Sequence, residues 1–216
     1  VTMEDMIRFT TAAKNARKDS LIVSDLPINS YKTEEDAITN SLKLIQAGAD
    51  AVKLEGGKEV AKIITAITES GIHVMGHLGL LPQTAEKYTV QGKTREDAIE
   101  LINDSKIITE AGVFSIVLEM VTSQVAKIIT EKITVPTIGI GSGKDCDGQV
   151  LVVHDMLGLF EKIKPKFAKR YLSLSEEIRN AVKLYVTEVK EESFPAAGNE
   201  FQMDESEYNK LRKEIV

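Results

Sequence analysis

The chain has 216 residues, with 27 lysines and arginines against 33 aspartates and glutamates and a formal net charge of -6. That mild acidity excludes a binder of nucleic-acid backbone, which needs a basic face, and a single cysteine excludes a disulfide framework. No apolar run reaches the roughly 18 residues of a membrane span and no signal peptide is recognisable, so neither nucleic acid nor membrane is an expected partner. The sequence opens at Val1 rather than Met, which suggests a stretch missing from its start.

In chain order, stretches with helical spacing alternate with short runs rich in β-branched residues. Met3 to Ala16 gathers Met6, Ile7, Ala12 and Ala13 on one helical face, and Ser20 to Leu26 reads as a buried strand. A helix follows over Glu34 to Ala47, with Ala37, Ile38, Leu42 and Ile45 on one face, then a strand over Ala51 to Leu54. The alternation continues with a helix at Lys58 to Ile67, a strand at His73 to Leu78, a helix at Arg95 to Ala111 and a strand at Phe114 to Val121. Ser123 to Glu131 is helical, and Val135 to Ile140 and Gln149 to Val153 are the last two strands.

Thr33 and Thr94 stand three residues before Asp36 and Asp97 as expected N-caps, and Gly48, Gly71 and Gly112 are expected to close helices. After about residue 160 the character changes. Lys162 to Arg170 is basic, Ser175 to Lys190 is an amphipathic helix, and Asp204 to Val216 reads as a charged extension or docking arm.

Strands that recur only after a helix run parallel and are covered on both faces. The pattern therefore fits an open doubly wound sheet or a (β/α)8 barrel. The strand count does not choose between them, because two missing barrel units amount to roughly 60 residues.

The predicted strands end in polar or glycine-rich tips: Asp25-Leu-Pro, Lys53-Leu-Glu55-Gly-Gly, Gly76-His77-Leu-Gly, Leu118-Glu119 and Gly139-Ile-Gly-Ser-Gly143. In parallel α/β folds these tips form one rim, where sites are built. Asp25 and Glu55 are candidate ligands of a hard divalent cation; a turn cap and a salt bridge are their ordinary alternatives. Lys53, on the same strand face as Glu55, either neutralises a substrate carboxylate or pairs with Glu55. His77 is either a donor to a substrate oxygen or a structural histidine. Glu119, after a dry apolar run, is either a general base with raised pKa or a backbone acceptor. Gly139 to Gly143 reads as a tight turn, since it lacks both the dinucleotide and the P-loop spacing.

Taken together, these motifs, with Pro82-Gln83, Val90-Gln-Gly92, Asp147-Gly-Gln-Val-Leu151, His154-Asp155 and Lys164-Pro-Lys-Phe167, resemble the ketopantoate hydroxymethyltransferase family. The resemblance runs from residue 1 to about 195. It implies a (β/α)8 TIM barrel of the phosphoenolpyruvate/pyruvate superfamily lacking its first two strands, with the incomplete barrel and C-terminal helices over 1–192 and a charged tail over 193–216. The implied reaction transfers a hydroxymethyl group from 5,10-methylenetetrahydrofolate to 3-methyl-2-oxobutanoate, giving 2-dehydropantoate for pantothenate biosynthesis. By motif, Glu119 would be the proton acceptor, Asp25, Lys53 and His77 would bind substrate, and Asp25 and Glu55 would hold Mg2+. A homo-oligomer, decameric in the family, and a cytoplasmic or organellar location are also implied. The family's Gly-Asp-Ser metal loop, carried after its second strand, is absent here. Another Mg2+-dependent 2-oxo acid lyase of the superfamily, or an inactive oligomeric scaffold, are the alternative readings.

Overall fold

A computed structural model of the chain describes residues 1–162 and 165–215. Lys164, part of the Lys-Pro-Lys-Phe motif, and Val216, the end of the charged tail, lie outside the described residues. The chain divides into two compact units, Val1–Leu151 and Val152–Val216.

The first unit begins with α1 (Met3–Ala16), β1 (Val23–Asp25), α2 (Glu34–Ala47) and β2 (Ala51–Glu55), followed by a 3-10 turn at Lys58–Val60 and α3 (Ala61–Glu69). It continues with β3 (Val74–Gly79), α4 (Arg95–Glu110), β4 (Ser115–Glu119), α5 (Ser123–Lys132), β5 (Thr137–Ile140) and the two-residue β6 (Gly148–Gln149). The local signals fall where the sequence places them. Thr33 and Thr94 accept the N–H groups of Asp36 and Asp97, both at 3.1 Å, and Gly48 closes α2 in the left-handed conformation.

The six strands form one sheet in the order β1-β2-β3-β4-β5-β6, every neighbouring pair parallel. Sequential order with a helix between most strands is the course of a β/α half-barrel; an open doubly wound sheet reverses its strand order partway. The core lies between the sheet and its helices. Val52 and Leu54 of β2, Val74 and Leu78 of β3 and Ile116 and Leu118 of β4 pack there with Leu44, Ile64, Ile67, Ile108 and Ile129. Burying each such side chain contributes roughly 1.5–3 kcal/mol. Because side chains alternate along a strand, Lys53, Glu55, His77 and Glu119 are left on the opposite face.

The final predicted strand, Gln149 to Val153, is corrected. The ladder ends with the Val150 N–H donating to the Gly139 carbonyl at 3.0 Å, and Val150, Val152 and Val153 are about half exposed. A β-branched run alone does not make a strand when no apolar surface covers it.

In the second unit, α6 (Val153–Met156), α7 (Leu174–Lys190) and α8 (Glu205–Glu214) follow in turn. Within the charged segment, Glu205 to Glu214 is helical, and the Asp204 carboxylate caps the N–H groups of Ser206 and Glu207. Among the described residues no helix is long and apolar enough to cross a membrane.

Candidate active site

The C-terminal tips of β1, β2, β3 and β4 deliver Asp25, Lys53, Glu55, His77 and Glu119 to one cavity of about 440 Å³, which Pro82 and Gln83 also line. All five residues singled out from the sequence are brought together there.

Register explains the closest pair. Asp25 and Lys53 are direct partners in the β1/β2 ladder, and Lys53 Nζ lies 2.9 Å from Asp25 Oδ1. The lysine therefore pairs with Asp25 and not with Glu55, the pairing weighed from the sequence. Its side chain is 17% exposed against 43% for the aspartate, so the ammonium is sheltered while the carboxylate reaches the opening.

Glu55 is 7% exposed. Its Oε2 accepts the Gln83 backbone N–H at 3.1 Å, and its carbonyl accepts the Tyr31 hydroxyl at 3.4 Å. Burial pushes its carboxyl above the ordinary glutamate range, and the negative charge of Asp25 adds to the shift. The Gln83 N–H, His77 and Lys53 oppose it without cancelling it.

His77 is the ladder partner of Glu55 and is 3% exposed. Its ring stands between two carboxylates, with Nε2 3.2 Å from Glu119 Oε2 and Nδ1 3.8 Å from Glu55 Oε1. The first separation is short enough for a hydrogen bond, yet neither ring nitrogen has an aligned partner. We read these contacts as electrostatic proximity, because alignment decides whether a hydrogen bond exists. A buried imidazole without aligned partners is a group with capacity for a ligand.

Glu119 ends β4 with its side chain 16% exposed, and its backbone is held on several sides. The Leu80 N–H donates to its carbonyl at 2.8 Å, and the Met120 N–H donates to Ile140 at 2.8 Å. The Ser142 hydroxyl donates to the Leu118 carbonyl at 2.6 Å and accepts the Val121 N–H at 3.1 Å. The Gly-Ile-Gly-Ser-Gly segment thus ends β5 at Ile140 and turns through Gly141 to Gly143, bracing the tip of β4. Gly79 has φ +95°, and a Cβ there would meet the Glu119 carbonyl oxygen.

Tyr31, Gln83 and Ser142 were not singled out from the sequence. Gln83 and Ser142 had a legible signal in their motifs, Pro82-Gln83 and Gly139 to Gly143, and Tyr31 had none. Among the described residues, no group of three or more His, Cys, Asp or Glu side chains is arranged to hold a metal ion by itself.

Sequentially ordered parallel strands with charged tips around one cavity define an α/β enzyme of the parallel half-barrel class. The fold is similar to that of phosphoenolpyruvate phosphomutase from Streptomyces platensis subsp. rosaceus, with a TM-score of 0.55 and 13% identity over 88% of this chain and 69% of that one. The chain belongs to the ketopantoate hydroxymethyltransferase family, whose model matches residues 1–197. It is 57% identical to the 3-methyl-2-oxobutanoate hydroxymethyltransferase of Nitrosopumilus maritimus (strain SCM1), over 100% of this chain and 78% of that protein. It is 54% identical to the enzyme of the same name from Cenarchaeum symbiosum (strain A), over 98% of this chain and 82% of that protein.

Proposed function

We infer that this protein adds a hydroxymethyl group from 5,10-methylenetetrahydrofolate to 3-methyl-2-oxobutanoate, giving 2-dehydropantoate in pantothenate biosynthesis. Family membership supports the reaction. The observation that carries the assignment of roles is the convergence of Asp25, Lys53, Glu55, His77 and Glu119 on one cavity.

The donor set suits Mg2+. Two carboxylates supply hard oxygen ligands for part of an octahedral shell, and Mg2+ keeps waters and takes substrate oxygens for the rest. Burial chiefly raises the proton affinity of Glu55, the charge of Asp25 adds to it, and a bound cation would offset both. Asp25 and Glu55 would hold the ion. When bound, it polarises the 2-oxo carbonyl of the substrate and makes the neighbouring C–H more acidic.

Lys53 offsets the substrate carboxylate, sharing its ammonium between that group and Asp25. His77 donates a hydrogen bond to a substrate oxygen from between the two glutamates. Glu119 Oε takes the proton from the carbon beside the carbonyl, and that carbon bonds to the one-carbon unit, whose carbon–nitrogen bonds to the folate break to release tetrahydrofolate while water supplies the hydroxyl oxygen. Lys53 and His77, both sheltered from solvent, provide fixed charge and dipole that act more strongly than in bulk water.

The reading extends to architecture. The six strands are an arc of a (β/α)8 barrel, with barrel and C-terminal helices over 1–192 and a charged tail over 193–216, in a homo-oligomer, decameric, working in the cytoplasm. Parallel pairing in sequential order supports the barrel.

Incubating the full-length protein with both substrates and Mg2+ tests the activity. Magnesium-dependent formation of 2-dehydropantoate is expected. Folate-independent carbon–carbon cleavage, or no consumption of the 2-oxo acid, would overturn the assignment.

A further inference from the structure

Gln83 lies in the loop after β3, within Leu81-Pro82-Gln83-Thr84. The Leu81 carbonyl accepts the N–H of Thr84 at 3.1 Å and of Ala85 at 3.0 Å, closing a turn. Pro82 has no N–H. The Gln83 N–H is not used within the turn and donates to Glu55 Oε2 at 3.1 Å.

The side chain of the same residue reaches the chain just after β1. Its Nε2 donates to the carbonyl of Leu26 at 3.1 Å, the residue next to Asp25. A carbonyl only accepts, so this bond fixes which end of the amide faces β1. The other end, Oε1, is buried with no partner among the described residues. An apolar side chain would fill the space without that orphaned acceptor; it would not supply the donor to Leu26.

We propose that Gln83 is a positioning residue for the carboxylate pair: its backbone holds the Glu55 carboxylate and its side chain holds the chain beside Asp25, so that one residue sets the relation between them. The inference rests on reading Asp25 and Glu55 as the cation site. Gln83 also lines the cavity, but the role proposed here runs through the groups it holds.

The test uses the full-length protein with Mn2+ as the probe, its binding followed by electron paramagnetic resonance, alongside turnover and thermal melting. In Gln83→Met, which keeps side-chain length and volume but has no amide, Mn2+ affinity should fall about 10- to 100-fold, with melting close to wild type. A packing role would be met by methionine, so wild-type Mn2+ affinity and turnover in that variant would overturn the proposal. Wild-type protein that fails to bind Mn2+ would overturn the cation reading and this inference with it. If Gln83→Met does not fold, amide hydrogen exchange decides. The Gln83 N–H should exchange slowly in wild type and at least about tenfold faster in Glu55→Ala; equal rates would show that the clamp does not exist.

Discussion

His77 and Glu119 meet across neighbouring strands, Nε2 to Oε2 at 3.2 Å, with the second imidazole nitrogen facing Glu55. One buried ring thus separates the carboxyl assigned to the cation from the carboxyl assigned to the proton. That separation lets two glutamates on one sheet face take different tasks.

Replacing Glu119 with Gln keeps the side-chain shape and removes the proton acceptor. Turnover should fall about 100- to 10,000-fold, while calorimetric binding of 3-methyl-2-oxobutanoate stays within about threefold of wild type. Unchanged turnover would discard the role.

Lys53→Met removes the cation that faces Asp25 and leaves the carboxylate without its partner. The KM for the 2-oxo acid should rise about 10- to 100-fold, the range expected when a hydrogen bond between charged groups is lost, with a smaller effect on kcat. Steady-state kinetics at saturating folate distinguishes the two parameters.

The raised affinity of Glu55 for its proton has a consequence for stability. Between the ordinary glutamate value and the raised one, the native chain binds more protons than the unfolded chain, so stability falls as pH rises through that window. Below it both states are protonated at this site and the cost is absent; above it the full cost of burying the carboxylate is felt. In metal-free protein, Glu55→Gln should flatten this slope, leaving the contributions of other groups such as Asp104, which burial shifts in the same direction. Urea midpoints measured against pH for both proteins provide the comparison.

Gly79→Ala should destabilise the fold by at least about 2 kcal/mol. The residue sits at positive φ, and the added methyl would collide with the Glu119 carbonyl, whose bond to the Leu80 N–H joins β3 to β4. Chemical denaturation measures the loss, and activity should fall further than stability because the tip carrying Glu119 must shift.

The α/β alternation, the caps at Thr33 and Thr94 and the five converging side chains were legible because each is encoded within a few residues of itself. Lys53 and Asp25 were not legible as a pair, since their contact depends on the register of two strands separated by a helix. Gln83 was invisible as a brace for a related reason. Its two bonds reach Glu55 and Leu26, 28 and 57 residues away in sequence, and depend on a turn that frees one N–H. The overlong final strand was misread because periodicity reports what a segment prefers, not what covers it.

Strand order that follows chain order has a practical side. The five residues lining the cavity stand at the carboxyl tips, while the returns from helix to strand at Gly48, Gly71 and Gly112 lie at the other end. A Cβ placed on Gly71 would meet nothing within 4 Å. That corner is where a fluorescent tag or a surface tether can be introduced by insertion while the rim keeps its geometry.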